Sequence, residues 1–293
     1  MSSNLKVIII GGSSFIGRNI ILHAPRTWSI KASYCNSVDF LDFISNFDNV
    51  ESVKIDLLND SIPNLGTANI VLYLPTFTPG QARDKNNNTD EIMFSLHAHG
   101  LEQIYKKIDH CDLFIYFSSG VYYLNNNNSA YRVSKILGEA NLQSLALENG
   151  FDYLILRNME IYGPYLAKHK IIRKLCEACF NSQKSFTIFG NGENYLDTMY
   201  IDDYVKILFS LIQNNITNLI LPFARSKPVT VSKMASIIAD VYSNNNFKTI
   251  FQGQPTENTN FILDNKELIK YSKISPNISL REGLIKWKSL NLI

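Results

Sequence analysis

The sequence is poor in several features that mark particular classes of protein. It has only four cysteines among 293 residues, too few for a disulfide framework in a chain of this length. No apolar run approaches the roughly 20 residues of a membrane-spanning helix. Lys and Arg number 28 against 26 Asp and Glu, so the net charge of +2 provides no basic field for nucleic acid. We therefore expect no membrane segment and no nucleic-acid partner.

The sequence also gives little indication of secretion or of a metal site. The N-terminus does not follow the basic and then apolar pattern of a secretory signal, so we expect a cytoplasmic protein. Cys176 and Cys179 form a Cys-x-x-Cys pair, but they lie in a segment predicted to be helical and have no second pair nearby. Because zinc usually takes four ligands, we predict no metal site.

What is present is a regular alternation of strands and helices. Helical patterns cover residues 15–23, 90–108 and 131–149, and β-branched apolar runs alternate with them. This order predicts βαβ units in a doubly wound parallel sheet of the Rossmann type. The predicted strands are Leu5–Ile10, Ser29–Tyr34, Val50–Ile55, Asn69–Leu74, Leu113–Ser118 and Tyr153–Arg157.

The rhythm changes after Gly163-Pro164, where helices at 168–181, 202–214, 230–243 and 279–288 are separated by short strands. We therefore predict a Rossmann domain over 1–165, to which 196–222 return. A smaller C-terminal α/β domain would comprise 166–195 and 223–293 and bind the substrate.

The first chemical motif is the turn that follows the first predicted strand, Gly11-Gly12-Ser13-Ser14-Phe15-Ile16-Gly17. Glycine permits the sharp bend and the close backbone approach that a pyrophosphate needs, and the helix N-terminus offers N–H groups to it. Ser14 stands where the pattern usually has a third glycine. The position of the turn predicts a dinucleotide site.

The second motif is Tyr131-x-x-x-Lys135 at the start of a predicted helix. The spacing places the phenol and the ammonium on one helix face, where the cation would favour the phenolate. The third motif is Ser118-Ser119, at the end of the strand just upstream. A serine at the carboxyl end of a parallel strand faces the crevice in which such sheets bind ligands.

Together these motifs resemble the extended short-chain dehydrogenase/reductases, the NAD(P)-dependent nucleotide-sugar epimerase, dehydratase and reductase group. Ile161-Tyr162-Gly163-Pro164, Tyr200-Ile201-Asp202-Asp203 and Ser279–Leu284 resemble further segments of that family. The resemblance implies that Tyr131 is the acid/base, that Lys135 binds the nicotinamide ribose, and that a serine orients the substrate. Strand position favours Ser119 for this serine, and the count back from Val121 favours Ser118.

The resemblance also implies a set of cofactor contacts, with Asp56-Leu57 as the adenine contact after the third strand. No acid follows the second strand before Asp39, and Arg18 could approach a 2′-phosphate, so we predict NADP(H) in preference to NAD(H). The predicted cofactor-binding residues are Gly11, Ser14, Phe15, Ile16, Gly17, Arg18, Asp56, Leu57, Leu74, Tyr131 and Lys135.

Several positions depart from the family pattern. Gly120-Val121 replaces the Asp-Glu pair of the dehydratases, which argues against a 4,6-dehydratase. Leu196 stands where an arginine is usual, and Glu160 replaces the customary asparagine. Because a diphosphate requires charge-assisted donors, these departures weaken the case for an ordinary nucleotide-sugar pose. The candidate substitutes are Lys168, Lys170, Arg173, Lys174 and Arg225. The predicted substrate-binding residues are Ser119, Glu160 and Arg225.

The resulting hypothesis is an oxidoreductase of a nucleotide-activated sugar, either a 4-keto reductase or a C4 epimerase. One alternative is a reductase of a non-nucleotide carbonyl compound, and another is a non-catalytic dinucleotide sensor on the same fold. The family resemblance further suggests a homodimer formed through 90–108 and 131–149.

Overall fold

The computed structural model describes residues 4–59, 61–78, 81, 88–123, 129–243, 247–254 and 262–292. By its internal contacts the chain divides into two units. One unit comprises Met1–Arg157 and Asn215–Leu221, and the other comprises Asn158–Asn214 and Pro222–Ile293. The first unit thus ends eight residues before the predicted boundary at 165, and only a short segment returns to it where 196–222 was expected.

The first unit is built on a seven-stranded sheet in the order β11-β6-β5-β4-β1-β2-β3. Strands β3, β2, β1, β4 and β5 pair in parallel, as the alternation of strands and helices predicts. The predicted fold class is confirmed. The strands are β1 (Lys6–Ile10), β2 (Ser29–Tyr34), β3 (Val50–Lys54), β4 (Gly66–Tyr73), β5 (Ile108–Ser119), β6 (Asp152–Asn158) and β11 (Leu219–Phe223).

The sheet is buried because its central strands are apolar on both faces. Four consecutive residues of β1, from Val7 to Ile10, are buried, as expected for a parallel strand covered by helices on each side. The helices of this unit are α1 (Phe15–His23), α2 (Asp39–Ile44), α3 (Thr89–Phe94), α4 (Gly100–Tyr105) and α5 (Ala130–Asn149).

The single helix predicted over 90–108 is wrong in one respect. A π-helical turn, Ser95–His99, interrupts it between α3 and α4, and residue 108 already begins β5. Two buried tyrosines explain the interruption, because Tyr73 of β4 donates its hydroxyl to Leu96 O (2.7 Å) and Tyr116 of β5 donates to His97 O (2.9 Å). The carbonyl groups of the wider turn are therefore satisfied from the sheet.

The second unit contains only short strands, paired as β7 (Glu160–Tyr162) with β10 (Thr198–Tyr200), β9 (Tyr195–Leu196) with β12 (Val229–Thr230), and β8 (Ser185–Phe189) with β13 (Lys248–Gln252). Trp287 and Leu284, on its last helix, are fully buried. Its helices are α6 (Ile171–Phe180), α7 (Ile201–Gln213), α8 (Val231–Tyr242), α9 (Lys266–Ser272) and α10 (Leu280–Ser289).

Among the helices described, none combines the length and apolarity that crossing a bilayer would require.

Candidate active site

The glycine turn between β1 and α1 has the geometry of a close-approach loop. Gly11 has φ +84°, a backbone conformation that favours glycine. A Cβ on Gly17 would lie 2.5 Å from Gly12 O, so only glycine allows α1 to pack this closely against the preceding loop. Ser14 is the N-cap of α1, and its side chain accepts a hydrogen bond from Gly17 N at 3.2 Å. Capping is thus the physical role of the serine that replaces a glycine.

Of the other predicted contacts in this turn, Phe15 and Ile16 form the first residues of α1 and are half-buried. Leu74 follows the carboxyl end of β4, and its Cβ lies 3.2 Å from the position that a Cβ on Gly11 would take. The turn and the end of β4 therefore meet at one edge of the sheet. This is the edge at which doubly wound sheets bind their ligands.

Asp56 and Leu57 follow β3. The Asp56 carboxylate accepts hydrogen bonds from Leu58 N (3.0 Å) and from the side chain of Asn59 (2.7 Å), while the side chain of Leu57 is buried. The hydrogen bond from Asn59 is the largest of the interactions that lower the pKa of Asp56. The carboxylate is therefore ionised and fixed in position at neutral pH.

Arg18 is engaged with protein groups on all sides. Its Nη2 lies 2.6 Å from Asp39 Oδ2, its Nε donates to Ser13 O at 3.1 Å, and its guanidinium lies over the rings of Phe40 and Phe43. The arginine that motivated the NADP(H) prediction is thus held in an ion pair. Its partner carboxylate is largely exposed next to it.

The Tyr131 and Lys135 pair lies in the first turns of α5, whose N-cap Ser129 accepts from Arg132 N. Lys135 is buried, donates from Nζ to Phe117 O (2.9 Å), and has its ammonium 5.0 Å from the centre of the Tyr116 ring. Burial lowers the pKa of Lys135 to about 7, against an opposing effect of the Glu139 carboxylate. Tyr131 is half-buried, so its ring remains partly accessible.

The two candidate serines have different environments. Ser118 is buried and donates to Glu139 Oε1 at 2.6 Å, whereas the half-buried Ser119 accepts from Val121 N at 3.3 Å. Successive residues of a strand face opposite sides, which explains the difference. The contact of Ser118 belongs to a buried network, and Ser119 lies at the strand end.

Two members of that network are not among the site residues predicted from the sequence. Glu139 of α5 and Arg157 of β6 form a bidentate buried ion pair with Nη2–Oε2 at 2.6 Å and Nε–Oε1 at 3.0 Å. The Arg157 guanidinium also lies 3.2 Å from the ring centre of Tyr122. The one available signal was Glu139 itself, four residues beyond Lys135 on the same helix face.

A third residue that the sequence does not predict for the site is His97. It is fully buried in the π-helical turn, and its ring meets that of Tyr131 edge-on, with centroids 5.4 Å apart. A π-turn frequently marks a functional position, but it is not readable from residue spacing.

In the second unit, the predicted substrate-binding residues are Glu160 and Arg225. Glu160 is half-buried and accepts an ion-pair hydrogen bond from Lys170 Nζ at 2.9 Å. Arg225 is 8% exposed, and its Nε–H has no hydrogen-bond acceptor among the residues that the structure describes. Its guanidinium is thus a buried cation whose pairing is incomplete.

The Cys176 and Cys179 side chains are buried in α6 and both are free thiols. Within the described ranges, no three His, Cys, Asp or Glu side chains are grouped so that they could hold a metal ion.

The comparisons with known proteins agree with this geometry. Residues 80–220 match the model of the NAD dependent epimerase/dehydratase family. A relative from Bacillus subtilis (strain 168), described as an uncharacterized UDP-glucose epimerase YtcB, is 23% identical over 96% of each chain. A dTDP-D-glucose 4,6-dehydratase of Dictyostelium discoideum is 28% identical over 69% of this chain and 54% of its own.

Among solved structures, the UDP-glucuronic acid 4-epimerase of Bacillus cereus, in complex with UDP-glucuronic acid and NAD, superimposes with a TM-score of 0.81. It is 18% identical, and the match covers 97% of this chain and 98% of that one. These findings confirm the resemblance to the extended short-chain dehydrogenase/reductases that the motifs predict.

Proposed function

We propose that the protein is an NAD(H)-dependent C4 epimerase of a nucleotide sugar, with Tyr131 as its acid/base. The observation that carries the proposal is the environment of Lys135, a buried ammonium one helical turn from Tyr131 and hydrogen-bonded to the strand that ends in Ser119. Burying a lysine is costly. A dinucleotide sensor that performs no acid/base chemistry would not require a buried lysine at this position. In an enzyme, the lysine stabilises the phenolate of the acid/base tyrosine.

The residues of the first unit fit a dinucleotide. Gly17 and Gly11 form a turn that a side chain would obstruct, and the N-terminus of α1 provides the positive end of a helix to a pyrophosphate. The bound cofactor would supply the hydride chemistry that a C4 epimerase requires at the sugar carbon.

The roles of the chain follow from chemistry that the geometry allows. The Tyr131 phenolate would take the proton from the sugar hydroxyl as its carbon is oxidised and would return it on reduction. Protonated Lys135, which its pKa of about 7 makes available at and below neutral pH, would lower the pKa of Tyr131 through its positive charge. Ser119 would hold the reacting oxygen, since the Ser118 hydroxyl is directed at Glu139.

The environment of Arg18 supports NAD(H) rather than the NADP(H) suggested by the sequence. A 2′-phosphate near Arg18 would also lie near Asp39, whose carboxylate is 2.6 Å from Nη2 and would repel it. An arginine already paired and stacked on two rings has little capacity left for a second anion. The neutral ribose of NAD(H) incurs no such repulsion.

Within the second unit, Arg225 is the proposed contact for the anionic part of the substrate. Leu196 occupies the position where an arginine is usual, and a buried guanidinium with an unpaired Nε–H is suited to a phosphate. The proposed substrate class is therefore a nucleoside-diphosphate sugar, as in the names of the relatives. Glu160 is assigned a supporting role through its pair with Lys170.

The first experiment is to denature the purified protein and chromatograph the supernatant for nicotinamide nucleotides. Near-stoichiometric NAD together with interconversion of a UDP-sugar pair would support the epimerase. An empty protein that consumes NADPH with a 4-keto sugar would replace it with the reductase.

The matching variant is Tyr131→Phe, which we expect to lower kcat by about 10²–10⁴-fold while NAD stays bound. Tyr105→Phe is a matched control, because Tyr105 packs against Phe151 in the same unit and lies outside the predicted site. Full turnover by Tyr131→Phe would defeat the assignment.

A further inference from the structure

His97 joins three segments of the first unit through its two ring nitrogens. Nδ1 lies 2.8 Å from Ser134 Oγ on α5, and Nε2 accepts from the backbone N–H of Phe77, in the loop after β4, at 3.1 Å. The hydroxyl of Thr76 lies 3.1 Å from the same Nε2. The ring itself belongs to the π-helical turn and is fully buried.

These contacts fix the tautomer of His97. Because the Phe77 N–H can only donate, Nε2 must carry a lone pair, so the proton resides on Nδ1 and is donated to Ser134 Oγ. Ser134 in turn donates its hydroxyl to Tyr131 O at 3.1 Å. Burial, with a smaller effect of the Lys135 cation, lowers the pKa of His97 to about 2, so the ring is neutral.

The position of this chain of hydrogen bonds is informative. It runs from the loop after β4, at the cofactor edge of the sheet, through His97 and Ser134 to the peptide of Tyr131. The His97 ring also contacts the Tyr131 ring at an interplanar angle of 86°. If His97 served only to fill space, a leucine would suffice. Its ring nitrogens instead make hydrogen bonds to two other segments, which a leucine could not make.

We propose that His97 is a positioning residue, which holds the first turn of α5 and the Thr76–Phe77 loop in register so that Tyr131 is correctly aimed. The π-helical turn makes this possible. Its backbone is held by Tyr73 and Tyr116, and the close approach of α5 depends on Gly138, where a Cβ would lie 2.1 Å from His97 O.

The kinetic part of this inference rests on the proposed function, so its test has one readout that needs no activity. Hydrogen exchange at the Phe77 amide reports the bond to Nε2 directly. We expect His97→Leu to accelerate that exchange at least about tenfold. In this variant the Phe77 amide can be exposed to solvent without breaking a hydrogen bond to Nε2. His99→Leu is the matched control, since His99 lies in the same turn with its side chain exposed.

In turnover, His97→Leu should lower kcat by about 10- to 100-fold through misplacement of Tyr131, with little change in KM. Ser134→Ala should act in the same direction. The double variant should be no worse than His97→Leu alone, because both substitutions break one chain of contacts.

Three results would overturn the proposal. They are unchanged Phe77 exchange in His97→Leu, a kcat within about twofold of wild type, and additive losses in the double variant. Should His97→Leu fail to fold, His97→Asn takes its place, because a shorter amide cannot reach both Phe77 N and Ser134 Oγ. If the wild type turns over no sugar, the proposed function fails and the exchange result alone decides the role of His97.

Discussion

Two buried arginines, one in each unit, differ in how their charge is compensated. Arg157 meets Glu139 through two short hydrogen bonds and lies against the Tyr122 ring. Arg225 is equally buried, but its Nε–H has no acceptor among the described residues. A buried charge left without a partner is costly unless a ligand completes it. The comparison therefore contrasts an arginine that is paired within the fold with one for which we propose a substrate anion as the missing partner.

The backbone around Arg225 supports this distinction. Its carbonyl accepts from Asn265 Nδ2 at 2.9 Å, and the following Ser226 N–H donates to the buried Asp197 carboxylate at 2.8 Å. Burial raises the pKa of Asp197, against backbone hydrogen bonds and the nearby charge of Arg225, which lower it. The backbone is thus held on both sides of Arg225, while the Nε–H of its guanidinium has no acceptor among the described residues.

The largest effect is expected from breaking the compensated pair. Glu139→Gln removes the carboxylate charge and leaves Arg157 buried without a counter-ion, so the free energy of unfolding should fall by about 3–5 kcal/mol. Urea denaturation measures it. The control is Asp240→Asn, which breaks a half-exposed ion pair with Arg281 and should cost about 1 kcal/mol or less. Equal losses in the two variants would contradict the structural role of Glu139.

Much of the first unit could be predicted from local sequence. The order of strands, the glycine turn and the Tyr131–Lys135 spacing depend on residues that lie near one another along the chain. The Glu139–Arg157 pair could not be predicted in this way, because its partners lie 18 residues apart, on a helix and a strand. By sequence alone, Glu139 looks like an ordinary exposed helical carboxylate.

The same reason explains the interrupted helix. Residues 90–108 carry no proline to break the helical pattern. The π-turn at Ser95–His99 depends on hydroxyl groups that Tyr73 and Tyr116 bring from two strands. Arg18 is similar, since its pairing with Asp39 becomes visible only when α1 and α2 are in place. Contacts between side chains on different helices and strands could not be predicted from the sequence.

Lys135 is another buried cation, and its environment extends the comparison. Its ammonium has a carbonyl and a ring face as neighbours, and burial lowers its pKa from the ordinary 10.5 to about 7. Between these two values the unfolded chain holds a proton that the folded chain has released. Folding stability due to Lys135 therefore rises with pH in this window, by up to about 1.4 kcal/mol per pH unit.

Lys135→Met removes that dependence. The variant should be more stable than the wild type at pH 7, and the difference should shrink steadily toward pH 10. Unfolding curves at four pH values would show it, with the exposed Lys107→Met as control. A difference that stays constant or grows with pH would mean that Lys135 is charged in the fold throughout this range.

The smallest effect on the free energy of unfolding is expected from a substitution of Arg225. This variant tests whether Arg225 differs from Arg157 in the way proposed above. Arg225→Met keeps the length of the side chain and removes the incompletely paired charge, so the free energy of unfolding should be unchanged or slightly higher. Affinity for a UDP-sugar should nevertheless fall by about 10- to 100-fold, because a charge-assisted contact of roughly 1.5–3 kcal/mol is lost. Titration calorimetry with UDP alone measures the affinity. The control is Lys233→Met, because Lys233 lies in the same unit and outside the predicted site. Weaker UDP binding without a loss of stability would be the opposite of the result expected for Glu139→Gln. If Arg225→Met is instead destabilised and binds UDP normally, Arg225 stabilises the fold as Arg157 does.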